Sequence, residues 1–201
     1  MKRLDLVVGC NGAGKSTFVA LSLAPLLPAS PLVNADEIAR QRWPANSAVH
    51  AYEAADIAAK TRSHLLTLGK SFIAETVFSH PSKLELIDEA RTHEYTVVLH
   101  VVMVPEELAV QRVRYRVRAG GHDVPEDKIR QRYQRLWGLV AQAFPRCDHV
   151  TAYDNSASTG PRIVAQFTDG YLVGEANWPS WTPTELTAST SPGAQPKDPN
   201  V

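Results

Sequence analysis

The sequence predicts a three-layer α/β domain on a mostly parallel, five-stranded sheet, and three observations carry that prediction. Short apolar runs alternate with segments of helical periodicity between residues 4 and 153, the pattern of β-α-β units joined by right-handed crossovers. One run, Tyr95 to Val104, is almost continuous in β-branched and apolar residues, as a central strand covered on both faces requires. A glycine-rich turn, Gly9 to Ser16, leads straight from the first strand into the first helix. There is no internal repeat.

Taken in order, Leu4 to Val8 is the first strand, and a helix from Ser16 to Leu27 is closed by Pro25 and Pro28. Pro31 to Asn34 is a short second strand running into Asp36-Glu37-Ile38-Ala39-Arg40, whose early acids suit a helix N-terminus. An alanine-rich helix spans Ser47 to Leu68 and stops at Gly69. Ser71 to Ala74 is the third strand, Pro81 to Arg91 a helix opened by proline, and Tyr95 to Val104 the fourth strand. Pro105 opens a helix to about Ala119, Gly120-Gly121 breaks it, and Pro125 opens the next. That last helix carries a core stripe of Ile129, Tyr133, Leu136, Trp137, Val140 and Phe144. His149 to Tyr153 is the fifth strand, and Arg162 to Val173 reads as a small hairpin around Asp169-Gly170. From Ala176 the composition turns to Pro, Ser, Thr, Ala and Asn, which predicts a disordered tail over 176–201 and a folded domain over 1–175.

Bulk properties narrow the function. A chain of 201 residues, 44% hydrophobic and 21% charged, builds one domain with a sizeable core. Its 21 basic and 21 acidic residues balance, which disfavours nucleic acid or a membrane surface as partner. Cys10 and Cys147 alone make neither a disulfide framework nor a zinc cluster, as expected of a reducing cytoplasm. Met1-Lys2-Arg3 and the apolar run before Gly9-Cys10 imitate a lipoprotein leader, but the run is too short and contains Asp5. No stretch reaches the roughly 20 apolar residues that span a bilayer. The expected location is the cytoplasm.

Gly9-Cys-Asn-Gly-Ala-Gly-Lys15-Ser16 is a P-loop motif in the required strand-to-helix setting. Its glycines let successive N–H groups of Gly9, Asn11, Gly12, Ala13 and Gly14 turn inward toward ATP phosphates, and the helix behind adds its positive end at Ser16 and Thr17. Lys15 supplies a point charge for the β and γ phosphates, and Ser16 a hydroxyl for Mg2+. Asp36 stands just beyond the second strand, at the sheet edge where ligands gather. There it either accepts a proton from an acceptor hydroxyl or caps its helix. Glu75 and Thr76 close the third strand at the same edge, with Glu75 placed for a magnesium-bound water or a substrate hydroxyl. No long apolar strand ends at once in Asp, which favours a small kinase over a motor ATPase. The arginines of 112–135, on two helices joined by Gly120-Gly121, read as a lid that closes on the triphosphate. The rival for this basic set is a nucleic-acid patch, but no interleaved aromatic platform accompanies it.

These residues, in order, resemble the zeta toxin family of P-loop kinases. The match runs through the P-loop, Val33-Asn-Ala-Asp36-Glu, Phe72-Ile-Ala-Glu75-Thr, Arg116-Val-Arg-Ala-Gly-Gly-His-Asp-Val-Pro125 and Asp154-Asn-Ser156, from about residue 3 to 156. The resemblance implies strand order 2-3-1-4-5, ATP at the P-loop, Asp36 as base and an acceptor beside it. The matching lid positions are Arg116 and Arg132, with Arg112 and Arg130 as near alternatives, and Asn155 falls near the adenine. Well-known members phosphorylate the 3′-hydroxyl of the amino sugar in UDP-N-acetylglucosamine, and an antitoxin protein is the partner such membership implies. This chain departs where Val77-Phe-Ser follows Glu75-Thr76 instead of the family's Gly-Thr-x-Arg pattern. Two other readings stand beside the small-molecule kinase: a nucleotide-dependent switch with slow hydrolysis, and a polynucleotide 5′-kinase.

Overall fold

The computed structural model describes residues 2–121 and 124–188. Strands β1 (Arg3–Val8), β2 (Leu32–Asn34), β3 (Phe72–Thr76), β4 (Thr96–Met103) and β5 (His149–Asp154) are parallel, in the order β2-β3-β1-β4-β5. Between them lie helices α1 (Lys15–Phe18), α2 (Ala35–Arg42), α3 (Ala51–Thr67), α4 (Ser82–Thr92), α5 (Glu106–Arg118) and α6 (Glu126–Ala143). Every residue of β4 after Thr96 is buried, in keeping with the apolar run that predicts it.

The sheet has seven strands, not five. The expected hairpin forms as β6 (Arg162–Thr168) and β7 (Tyr171–Leu172), but it also joins the sheet, β6 pairing antiparallel with β5. Its turn has positive φ at both Asp169 (51°) and Gly170 (82°), the twist that a two-residue hairpin needs. Val164, Ala165 and Phe167 then bury themselves in the core, and Phe167 meets Phe144 with ring centroids 4.7 Å apart.

Helix α1 is less regular than its sequence suggests. It widens into a π-turn over Val19–Leu23 and tightens into a 3-10 turn over Ala24–Leu26, where Pro25 has no N–H to continue the ladder. Beneath it the sheet carries a buried polar cluster. Asp5 Oδ1 is 2.9 Å from His100 Nε2, and Arg3 adds two hydrogen bonds of 2.7 and 2.6 Å to the same carboxylate. Burial alone would raise the Asp5 carboxyl, but the bonds from His100 and Arg3 hold it below its ordinary range.

The disordered tail expected from Ala176 is corrected over its described part. Ala176, Trp178 and Trp181 pack against the core, α7 (Thr184–Ala188) lies on α6, and Leu186 is fully buried. Asn177 N–H donates to the Val164 carbonyl at 2.7 Å, which ties the segment to β6. Polar composition suggested a solvated chain, but two tryptophans and one leucine supply enough apolar surface to dock it. Residues 189–201 of that expected tail lie outside the described residues. Leu186→Ala is expected to cost about 2–5 kcal/mol, read as a fall in the thermal midpoint; an unchanged midpoint would remove the segment from the core. No described helix is long and apolar enough to cross a membrane.

Candidate active site

The loop from Gly9 to Gly14 leaves the end of β1 and enters α1. Gly9 has φ of 149° and Gly12 of 81°. A Cβ at Gly9 would stand 2.2 Å from the Val102 carbonyl oxygen, and one at Gly12 2.4 Å from that of Ala109. Only glycine lets the loop seat between β4 and α5. Lys15 is buried, and its Nζ donates to the Cys10 carbonyl at 3.1 Å. Burial pushes the Cys10 thiol up to about 12 despite the nearby Lys15 charge, so the loop carries no thiolate to repel an anion. Asn155, expected near adenine, donates from Nδ2 to the Ala13 carbonyl at 2.7 Å and thereby braces the loop.

Beside the loop, the ends of β2 and β3 build a chain of hydrogen bonds. Ser16 Oγ donates to Glu75 Oε1 at 2.8 Å, and Asn34 Nδ2 donates to Glu75 Oε2, also at 2.8 Å. Glu75 is therefore a buried residue of the strand itself, at 8% exposure, and not a loop acid past its end. Asn34 Oδ1 accepts from the backbone N–H of Asp36 at 2.8 Å and of Glu37 at 3.3 Å. Asn34 thus caps α2, and Asp36, one residue inside the helix, leaves its carboxylate exposed toward the site. Thr76 is turned away: its Oγ1 accepts from Phe78 N–H at 3.4 Å, and it lines none of the site's cavities.

Three adjoining cavities follow this edge. One, of about 480 Å³, is bounded by Thr17, Leu21, Ser22, Arg112, Asn155 and the loop 157–161. The next, about 290 Å³, is lined by Asn11, Lys15, Ser16, Glu75, Arg112 and Arg116. The third, about 230 Å³, lies between Ser47, Ala51, Ala39 and Gly121. Ser16, Asp36, Arg40 and Arg116 line both of the last two, so Asp36 stands where they meet.

The helical register of the arginines on α5 and α6, open in the sequence, is shown by packing. Arg112 and Arg116 face the central cavity from one side of α5. Arg132 on α6 donates to Asn11 Oδ1 at 3.3 Å. Arg130 is instead held by Glu107 and Glu126, with Glu106 at 3.3 Å, and joins α5 to α6 away from the cavities. Its guanidinium is pushed above its ordinary range by those hydrogen bonds. His122 and Asp123 of the Gly-Gly-His-Asp-Val-Pro motif lie outside the described residues. Sequence reasoning missed Asn34 and Arg40. The spacing of Asn34 and Glu37 is that of a capping box and was the available signal for the first.

The donor set fits a magnesium ion. Because Ser16 gives its proton to Glu75 at 2.8 Å, its oxygen lone pairs are left for a cation, and Glu75 would order a water of that ion. Among the described residues no three His, Cys, Asp or Glu cluster to hold a metal. Magnesium bound chiefly by phosphates and water needs no such cluster.

A phosphate loop, a carboxylate and two arginines gathered at one edge of a parallel sheet define a P-loop protein of the kinase fold. The sequence model of the Zeta toxin family matches residues 1–159. The chain belongs to that family. Among solved structures it is similar to the AvrRxo1-ORF1:-ORF2 complex, at 18% identity and TM-score 0.69, over 96% of this chain and 65% of that one. The same pair with ATP gives TM-score 0.69 at 18% identity, over 98% of this chain and 66% of that one. The PezAT chromosomal toxin-antitoxin system of Streptococcus pneumoniae gives TM-score 0.59 at 14% identity, over 77% and 67% of the two chains. The chain therefore spans about two thirds of the length of these structures. No curated protein matches it by sequence.

Proposed function

We propose that the protein transfers the γ-phosphate of ATP to a hydroxyl of a small molecule, with Asp36 as the general base. The observation that carries this is the place of Asp36, on the boundary between the cavity lined by Lys15, Ser16 and Glu75 and the cavity beyond it. An acceptor in the outer cavity presents its hydroxyl to Asp36 with the γ-phosphate on the other side. As the acceptor oxygen bonds to phosphorus, its proton passes to Asp36 and the bond from phosphorus to the β-phosphate oxygen breaks, releasing ADP. Lys15, Arg112 and Arg116 offset the charge that moves onto the phosphates, and Arg132 holds Asn11 of the loop. Ser16, and Glu75 through a water, would hold magnesium, which would supply charge stabilisation to the same phosphates. ATP as donor agrees with the cavity beyond Gly14 and Thr17, which is lined by Asn155 and bounded by the loop after β5.

The acceptor class that the family brings is a nucleotide sugar such as UDP-N-acetylglucosamine, and its partner class an antitoxin protein. Val77-Phe78-Ser79 replaces the family's arginine-bearing pattern, and in this reading the acceptor lies against Arg40, Ser47 and Ala51, which line the outer cavity. The test is mass spectrometry of a metabolite extract incubated with protein, ATP and Mg2+. A phosphorylated product is expected with wild type and absent with Lys15→Met. ADP formation without any acceptor product would replace this reading with the nucleotide-dependent switch.

A further inference from the structure

We propose that Asn34 is a positioning residue that sets Asp36 and the Ser16–Glu75 pair in fixed relation to each other; this rests on the kinase reading above. Its side-chain amide is committed on both ends. The oxygen accepts from the N–H groups of Asp36 and Glu37 and so determines where α2 starts and where Asp36 leaves the backbone. The nitrogen donates to one oxygen of Glu75, whose other oxygen receives the Ser16 hydroxyl. Asn34 and Glu75 are opposite each other in the β2–β3 register, and Glu75 is in turn opposite Val7 of β1. Strand pairing thus places the two side chains together. Both are 8% exposed, and in so dry a setting a hydrogen bond is strong and its loss leaves a costly unpaired group.

The chemistry of the position selects an amide. Serine and aspartate cap a helix about as well as asparagine. Serine, however, is too short to reach Glu75, and aspartate would oppose it with a second carboxylate. If Asn34 only capped α2, all three residues would serve equally. If it also aims Glu75, and through Glu75 the Ser16 hydroxyl, only asparagine serves.

The experiment measures how far Mg2+ tightens the binding of a fluorescent, non-hydrolysable ATP analogue, together with kcat and the thermal midpoint, in wild type, Asn34→Ser and Asn34→Asp. Residues that orient metal ligands change metal affinity or rate by about 10–100-fold. Both variants are expected to keep the magnesium-free affinity, to unfold at a lower midpoint because the buried bond to Glu75 is lost, to lose about 10–100-fold of the magnesium effect and of kcat, and to lose more in the aspartate variant. Wild-type magnesium coupling and kcat in both variants would overturn the proposal and leave Asn34 a helix cap. Should either variant fold poorly, Asn34→Ser combined with Glu75→Gln at a permissive temperature decides. Non-additive losses support the proposal, and additive ones overturn it. The binding readout needs no phosphotransfer. A wild type that couples Mg2+ through Asn34 yet phosphorylates nothing would refute the kinase reading alone.

Discussion

Asp36→Asn is expected to lower kcat by about 10²- to 10⁴-fold, the range that a positioned general base contributes, while the affinity for an ATP analogue stays at the wild-type value. The separation follows from the geometry. Asn34, not Asp36, caps α2, so the isosteric change leaves the helix start intact, and the proposed phosphate contacts lie on the loop and Lys15. What is lost is the one carboxylate among the described residues that lines both of the adjoining cavities. Single-turnover phosphotransfer to the acceptor found in the metabolite screen, paired with titration of the analogue, checks it. Retention of kcat within a few fold would remove Asp36 from the base role.

Gly12→Ala is expected to be strongly damaging although the added group is a single methyl. The residue has φ of 81°, and an added Cβ would stand 2.4 Å from the Ala109 carbonyl oxygen and 3.1 Å from its carbon. The left-handed conformation costs a non-glycine residue about 1–2 kcal/mol, and overpacking against backbone typically adds about 1–3 kcal/mol. A loss of about 2–5 kcal/mol follows from these two terms. Since Ala109 belongs to α5, relief of the clash must push the loop away from the helix that carries Arg112 and Arg116, and nucleotide affinity is expected to fall with stability. Thermal unfolding and analogue titration read the two effects. Gly138→Ala is the control: nothing lies within 4 Å of its added Cβ and it sits in the middle of α6, so that change is expected to be neutral or to stabilise by up to about 1 kcal/mol.

The arginines of α5 and α6 show how a basic segment divides once its helices are packed. Arg112 and Arg116 are one helical turn apart, so a single face of α5 presents both to the central cavity. Arg130 and Arg132 are two residues apart and cannot share a face. Arg130 goes to Glu106, Glu107 and Glu126, where its charge joins two helices, and Arg132 goes to Asn11. Arginine spacing suggested the helix faces. Only the partners on the neighbouring helix show which face meets the nucleotide loop and which is spent on structure.

The order of the first five strands came from the family resemblance; local patterns were enough to determine the strand–loop–helix of the phosphate site, the central strand and the presence of carboxylates at the sheet edge. Each of these depends on residues close together in the chain: glycines at three positions of one turn, a buried β-branched run, an acid a residue or two past a strand. Tertiary structure alone decided the rest. It docked the β6–β7 hairpin onto β5 and drew Trp178, Trp181 and Leu186 out of an apparently polar tail into the core, because burial depends on a surface supplied by distant segments. It also decided that Asp36 is not a cap and that Glu75 is a buried member of β3. Both follow from the pairing of β2 with β3, which sets Asn34 opposite Glu75 across 41 residues of chain. A hydrogen bond between side chains so far apart in sequence leaves no local periodicity, and only the register of the strands reveals it.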